Sequence, residues 1–450
     1  MSTEIANKDA SQAELDRLAE VAADVLRRCK AAGADQAEVA ASIDVGLNVS
    51  VRLGDVETVE HTRDRSFGIT VYFDKRKGSA STADLNADSI AKTVEQACAI
   101  ARYTEADPAS GLADAARMAH EFGEFDLWHP WDISVEDAIT LGLEIEDAGR
   151  SVAGISNSEG ASVQAGQALA VYANSHGFVG RERGTRHMLS VSLLAEDSAG
   201  MQSAYWYDSV RAAGDFGPAA AIGRKAAERV LSRLGAQTLS TRQCPVLFAS
   251  EVARGLIGHL LNAVSGGALY RKASFLLDAC GQRLLPEFVD IIEDPHLRRG
   301  HASASFDAEG VATKRSALVE GGVLQRYLLS SYSARMLGLE STGNAGGIHN
   351  LLVRGGEDDF PALLKKMGTG LLVTDLMGQG VNTVTGDYSR GAAGYWVENG
   401  VIAYPVEEIT IAANLRDMYA NIVAIGSDVD PRSHVLTGSI LIERMTVAGA

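Results

Sequence analysis

The sequence predicts an α+β protein, and three observations carry that prediction. Apolar residues recur at three- and four-residue steps in a few segments and at every second residue in many others, so both helical and strand periods are present. In the second half, strand-like runs follow one another with few long helices between them, which favours α+β over a doubly wound sheet. Lys366 to Leu415 is laced with Gly368, Gly370, Gly378, Gly380, Gly386, Gly391, Gly394 and Gly400, spaced through short β-prone runs. Glycines between strands mark tight turns, bulges or close backbone approach, so a glycine-laced antiparallel sheet is expected here, forming one wall of a cleft. With 450 residues, two domains are the natural division. They are an N-terminal α+β domain over 1–238, with mixed helices and antiparallel strands, and a β-rich domain over 239–450.

Ala13 to Cys29 carries Leu15, Leu18, Val21, Val25 and Leu26 on one helical face, with Gly33 as a stop. The period then changes to two through Val39, Ala41, Ile43, then Leu47, Val49, Val51, then Ile69, Val71, Phe73, predicting three or four strands before a helix over Ala87 to Arg102. Gly111 to Pro130 reads as a surface crossover. The order then recurs: a helix over Val135 to Arg150, strands within Ile155 to Val210, and a helix over Pro218 to Leu234, a hint of internal duplication. Pro245 to Phe248 opens the second region, with a short helix over Glu251 to Leu261 and strands about Glu287 to Glu293. A hairpin is expected at Ala317 to Glu320, Gly321-Gly322, Val323 to Leu329. Asn399-Gly400 between apolar runs is the strongest hairpin signal, and Gly438 to Glu443 is a closing strand.

Composition excludes several function classes. The balance of 41 basic and 58 acidic residues gives −17, which disfavours gripping nucleic acid by phosphate neutralisation. No run approaches the roughly 20 apolar residues of a membrane span. The polar N-terminal stretch lacks a signal peptide's apolar core, so a cytoplasmic protein is expected. Cys29, Cys98, Cys244 and Cys280 are scattered, with neither redox nor zinc-ribbon spacing. G-x-G-x-x-G, G-x-x-x-x-G-K-[ST], G-x-S-x-G and His-Glu-x-x-His are all absent.

Four candidates remain. His296 and His301, beside Glu293 and Asp294, offer zinc-type donors, or are simply a polar turn after Pro295; His259 is more naturally a boundary histidine. Ser250-Glu251 stands at a strand-to-helix junction, where the plain reading is Ser250 as cap and Glu251 favoured by the helix dipole. Arg271-Lys272 could seize a carboxylate or be a solvated turn. Asp387, Tyr388, Ser389 and Arg390, set between Gly386 and Gly391, could hold a peptide or an interface, or form a hairpin loop.

The runs EVARGLIGHLLNAVSGGALYRKASFLLD, STGNAGGIHN, MGTGLLVTDLMGQGVN and TGDYSRGAAGYWVENGVIAYPVEEITIAANL closely resemble the TldD/PmbA family, in its PmbA (TldE) branch. The resemblance implies a cytoplasmic TldD–TldE zinc metallopeptidase acting on unfolded peptides, with roles in microcin maturation, antitoxin degradation and, by an older label, modulation of DNA gyrase. It also implies that the TldD branch holds zinc through His-Glu-x-x-x-His and a late cysteine. Here Ser250 stands at the first histidine, Glu251 at the glutamate and Gly255 at the second histidine, and no cysteine follows Cys280. A catalytic zinc site normally needs three protein ligands. The expectation is therefore a non-catalytic subunit with no metal of its own, paired with a zinc-bearing TldD-type homologue or with itself when isolated. It would hold peptide by strand addition near Gly386 to Gly394. Two alternatives stay open: a self-sufficient hydrolase using Glu251, His259 or the His296/His301 pair, and a non-proteolytic binding modulator of a toxin or gyrase pathway.

Overall fold

The computed structural model describes residues 8–198 and 200–449. The polar N-terminal stretch from Met1, where no signal peptide is expected, therefore begins outside the described residues.

The first half contains α1 (Lys8–Ala31), β1 (Gln36–Arg52), β2 (Asp55–Phe73), β3 (Arg76–Thr82) and α2 (Ala87–Tyr103), then α3 (Val135–Arg150), β4 (Ile155–Asn174), β5 (Val179–Asp197), β6 (Gly200–Val210) and α4 (Ala219–Leu231). The six strands form one antiparallel sheet in the order β3-β2-β1-β4-β5-β6. A unit of helix, three strands and helix thus occurs twice, and its leading strands β1 and β4 lie side by side at the centre, from Glu38 opposite Asn174 to Val51 opposite Ala161. The alternation read from the sequence puts Val39, Ile43, Phe67 and Ile69 against Leu18, Val25 and Val94 of α1 and α2. Val49, Val51, Val163, Leu189 and Leu193 meet Ile145 and Val230 of α3 and α4 in a second cluster. These last helices cross closely because Gly223 has no side chain: a Cβ there would lie 2.1 Å from the Ile145 carbonyl oxygen.

The second half contains β7 (Arg242–Phe248), α5 (Ser250–Ala263), α6 (Gly266–Tyr270), β8 (Asp290–Glu293), β9 (Ser316–Glu320), β10 (Val323–Leu324), α7 (Ser331–Leu337), β11 (Leu351–Arg354), α8 (Phe360–Met367), β12 (Gly370–Met377), β13 (Asp387–Glu398), β14 (Val401–Asn414), α9 (Leu415–Ala420), β15 (Ile422–Ile425), β16 (Val435–Leu436) and β17 (Ile440–Ala448). The glycine-laced strands belong to a sheet ordered β14-β13-β12-β7-β17-β15, and β14 also pairs with β17, so five of its strands close into a ring. The sheet is not wholly antiparallel: β7 and β12 run parallel. The long chain between them allows this, because a parallel pair needs a crossover. A second sheet, β10-β9-β8-β11-β16, stands beside it.

At the β13–β14 turn, Asn399 and Gly400 have φ of 52° and 77°, the paired positive angles of a type I′ hairpin. The hairpin at Gly321-Gly322 is shorter than expected. Only Val323 and Leu324 pair, because the chain then turns away to bridge Leu328 to Ser265.

Guanidinium groups tie the halves together. Arg335 donates to the carbonyls of Ala109 and Gly111 at 3.0 Å, and Arg211 to those of Gly300 and His301 at 3.0 and 2.8 Å. Between β6 and α4 on one side and the glycine-laced sheet on the other lies a cleft of about 970 Å³.

Candidate functional site

The cleft is built around the β7–α5 junction. Val246, Leu247 and Phe248 are buried in the sheet, and the Ala249 amide donates to the Val373 carbonyl of β12 at 3.0 Å, fixing where the helix begins. Ser250 is not the cap expected from the sequence. Ala249 occupies the N-cap with no side-chain capping bond, and Ser250 is the first helical residue. The reason is the strand, which continues through Phe248 and leaves one residue for the turn. Along α5, Ala253, Leu256, Ile257 and Leu260 are buried, which leaves Glu251, Arg254 and Gly255 on the cleft side.

Glu251 accepts from Arg229 Nη1 of α4 at 2.7 Å. The Arg229 guanidinium lies 5.0 Å from the Trp206 ring centroid, and Arg432 lies 4.1 Å from the same ring and 4.5 Å from that of Tyr207. Arg432 is gripped by Asp430 through two bonds, Nε to Oδ1 at 2.8 Å and Nη2 to Oδ2 at 3.0 Å. Burial opposes ionisation of Asp430, but the Arg432 hydrogen bonds prevail and lower its pKa. Asp375 behaves oppositely: burial raises its pKa despite its ion pair with Arg233. Arg254 donates to the Tyr207 hydroxyl at 3.1 Å. A Cβ added at Gly255 would have no atom within 4 Å, and the space beside it is a recess of about 230 Å³.

Of the other predicted residues, Arg390 joins this constellation and the rest do not. Along β13 the side chains alternate: Asp387 and Ser389 are exposed, Tyr388 is buried, and Arg390 turns into the recess beside Glu251 and Gly255. Burial pushes the Tyr388 hydroxyl up to about 12, and its ring meets His259 edge-on at 5.8 Å. Burial and Arg390 lower the pKa of His259. Arg271 is exposed at the end of α6 and folds back on Tyr270, while Lys272 sits beside it with φ of 56°. Neither lines the cleft. His296 bonds Thr313 at 3.1 Å and stacks on Phe125, whereas His301 faces Arg186, Arg211 and His434.

Strand addition alongside Gly386 to Gly394, expected from the sequence, has no free edge to use. The edges of β13 are taken by β12 and β14, and a Cβ at Gly394 would lie 1.9 Å from the Leu372 carbonyl oxygen. Gly394 serves strand-to-strand approach within the sheet, whereas Gly386 sits in the turn before β13 with φ of 83°. Sequence reasoning missed Trp206, Arg229, Arg432, Asp375 and Asp430. They come from separate strands, helices and loops, and only the Asp430-Pro431 turn carries a local signal.

Three family models, described as PmbA/TldA metallopeptidase domain 1, central domain and C-terminal domain, match residues 37–101, 128–234 and 241–449. The chain is 48% identical over 447 residues to metalloprotease PmbA of Escherichia coli O157:H7, covering 99% of both. The chain belongs to the PmbA/TldD metallopeptidase family. Its fold is that of other family structures. A Bacteroides thetaiotaomicron protein described as a candidate modulator of DNA gyrase superposes with a TM-score of 0.91 at 26% identity, covering 96% of this chain and 98% of that one. TldE of Thermococcus kodakarensis superposes with a TM-score of 0.84 at 20% identity over 95% of this chain and 100% of that one, a likeness of fold.

Proposed function

We propose that this chain is the non-catalytic, cleft-forming subunit of a cytoplasmic PmbA/TldD-type zinc metallopeptidase, paired with a zinc-bearing homologue and acting on unfolded peptides. One observation carries the reading: at the family's metal-binding helix, the single acidic residue, Glu251, is engaged by Arg229. Its neighbours in the motif, Ser250 and Gly255, offer no imidazole. The residues present do not fit zinc, since a dication at Glu251 would displace Arg229 and stand among Arg254, Arg390 and Arg432. Among the described residues no group of three or more His, Cys, Asp or Glu side chains converges elsewhere.

The cleft is mostly apolar and roomy enough, at about 970 Å³, for a stretch of peptide. The outer edge of β6 is not open for strand addition along its length, because Arg233 and Arg432 cap the carbonyls of Ser203 and Tyr207 at 2.9 Å. Peptide would therefore rest against side chains of β6 and the β12–β14 wall. Antitoxin degradation and microcin maturation are the processes to examine. The test is to purify the chain alone and with its zinc-bearing homologue, then assay unfolded peptide and bound metal. The pair is expected to cleave and the lone chain to be inert; a lone chain carrying one zinc and cleaving peptide would overturn the proposal.

A further inference from the structure

We infer that the recess beside Gly255 is a carboxylate-binding pocket, which anchors one acidic group of a peptide lying in the cleft. The inference deepens the peptide-cleft reading and rests on it. Recess and cleft are continuous, sharing Trp206, Tyr207, Arg229, Glu251, Thr374 and Arg432.

Four guanidiniums face the recess, from Arg229, Arg254, Arg390 and Arg432, against the carboxylates of Glu251 and Asp375. Those acids are already engaged, Glu251 by Arg229 and Asp375 by Arg233, and Asp430 next to the recess holds Arg432. Arg390 donates to the Tyr388 hydroxyl but forms no ion pair among the described residues, and the buried Nε atoms of Arg390 and Arg229 lack an acceptor. A guanidinium fork with unfilled donors matches a carboxylate in geometry and charge. Arg254 shares Asp430 with Arg432, at 3.9 Å, so Arg390 is the one recess cation without a carboxylate partner among the described residues, matching a single negative charge. The aromatic walls of Trp206 and Tyr207 exclude water from one side, which strengthens that attraction. Gly255 supplies the room: it is an open position inside a helix, where glycine is otherwise unfavourable, and a side chain there would project into the recess. The occupant is either the terminal carboxylate of a peptide or an Asp or Glu side chain within it.

The test titrates the full chain with three N-acetylated, otherwise neutral octapeptides, followed by tryptophan fluorescence and calorimetry. One has a free carboxyl terminus, one is amidated, and one is amidated with a single internal Glu. At least one acidic peptide is expected to bind roughly tenfold more tightly than the neutral amide. Which one does so names the source of the carboxylate. Arg390→Gln should abolish that preference and Arg390→Lys restore part of it. Gly255→Leu should abolish it without removing a charge, and thermal melts show that each variant folds. Equal binding of all three peptides overturns the pocket and leaves the peptide cleft standing. Glutarate that perturbs the wild-type signal, but not that of Arg390→Gln, while no peptide binds, supports the pocket and overturns the peptide reading. No response to any peptide or to glutarate overturns the pocket.

Discussion

Glu182 stands where two cavities between the halves meet, and burial pushes its carboxyl up to about 7, with His349 acting in the opposite direction. A folded-state pKa above the unfolded value means that the folded chain holds the proton more tightly. The associated stability is complete below about pH 4.5 and is lost as pH rises through 7. Glu182→Gln is therefore expected to raise stability at pH 8, by up to roughly 3 kcal/mol, and to change it little at pH 4. Urea midpoints at the two pH values check this. His301 has the opposite sign. Burial, then Arg186, Arg211 and His434, push it down to about 4, so the unfolded chain takes up the proton first and stability falls on acidification from about 6.5 to 4. His301→Gln should flatten that fall, seen as a smaller change in urea midpoint over the same window.

Among the elements, the β12–β13 ladder depends on backbone contact at a glycine. Strand β13 approaches β12 so closely at Gly394 that no Cβ fits against Leu372. Gly394→Ala is expected to cost about 3 kcal/mol or more by forcing the strands apart. Gly214→Ala, where a Cβ meets nothing within 4 Å, should be nearly neutral. Chemical denaturation of the two variants makes the comparison. The same closeness shapes the cleft, because Leu372 and Thr374 of β12 and Tyr395 of β13 form its floor. Widening the ladder should weaken peptide binding as well as stability.

For the whole molecule, the two halves are joined by an apolar cluster that includes Tyr172, Phe178 and Phe306, and by arginines reaching carbonyls across the boundary. Arg211 bridges the boundary directly, donating to Thr185 in its own half at 2.9 Å and to Gly300 and His301 in the other. Burial lowers its pKa, as expected for a guanidinium removed from water. Arg211→Met leaves those carbonyls without their donor and is expected to cost about 3 kcal/mol or more. It should also loosen the halves, turning one calorimetric unfolding peak into two. A single unshifted peak would show that other contacts hold the halves together.

What the sequence by itself determined was whatever depends on near neighbours. The helix over Val135 to Arg150 has the predicted bounds because its start carries a local cap, the Ser134 side chain accepting from the Asp137 amide, and its apolar spacing is regular. The Asn399-Gly400 turn was legible for the same reason, since both residues tolerate positive φ. The motif positions Ser250, Glu251 and Gly255 were legible as residue types. Only the tertiary structure decided what they do. Arg229, Trp206, Arg390 and Arg432 arrive from α4, β6, β13 and the loop after β15, and no local spacing encodes their meeting. The short helices α6 to α9 and the closure of β14 on β17 were hidden likewise. Their stability comes from burial against distant segments, so the pattern that specifies them is spread along the chain.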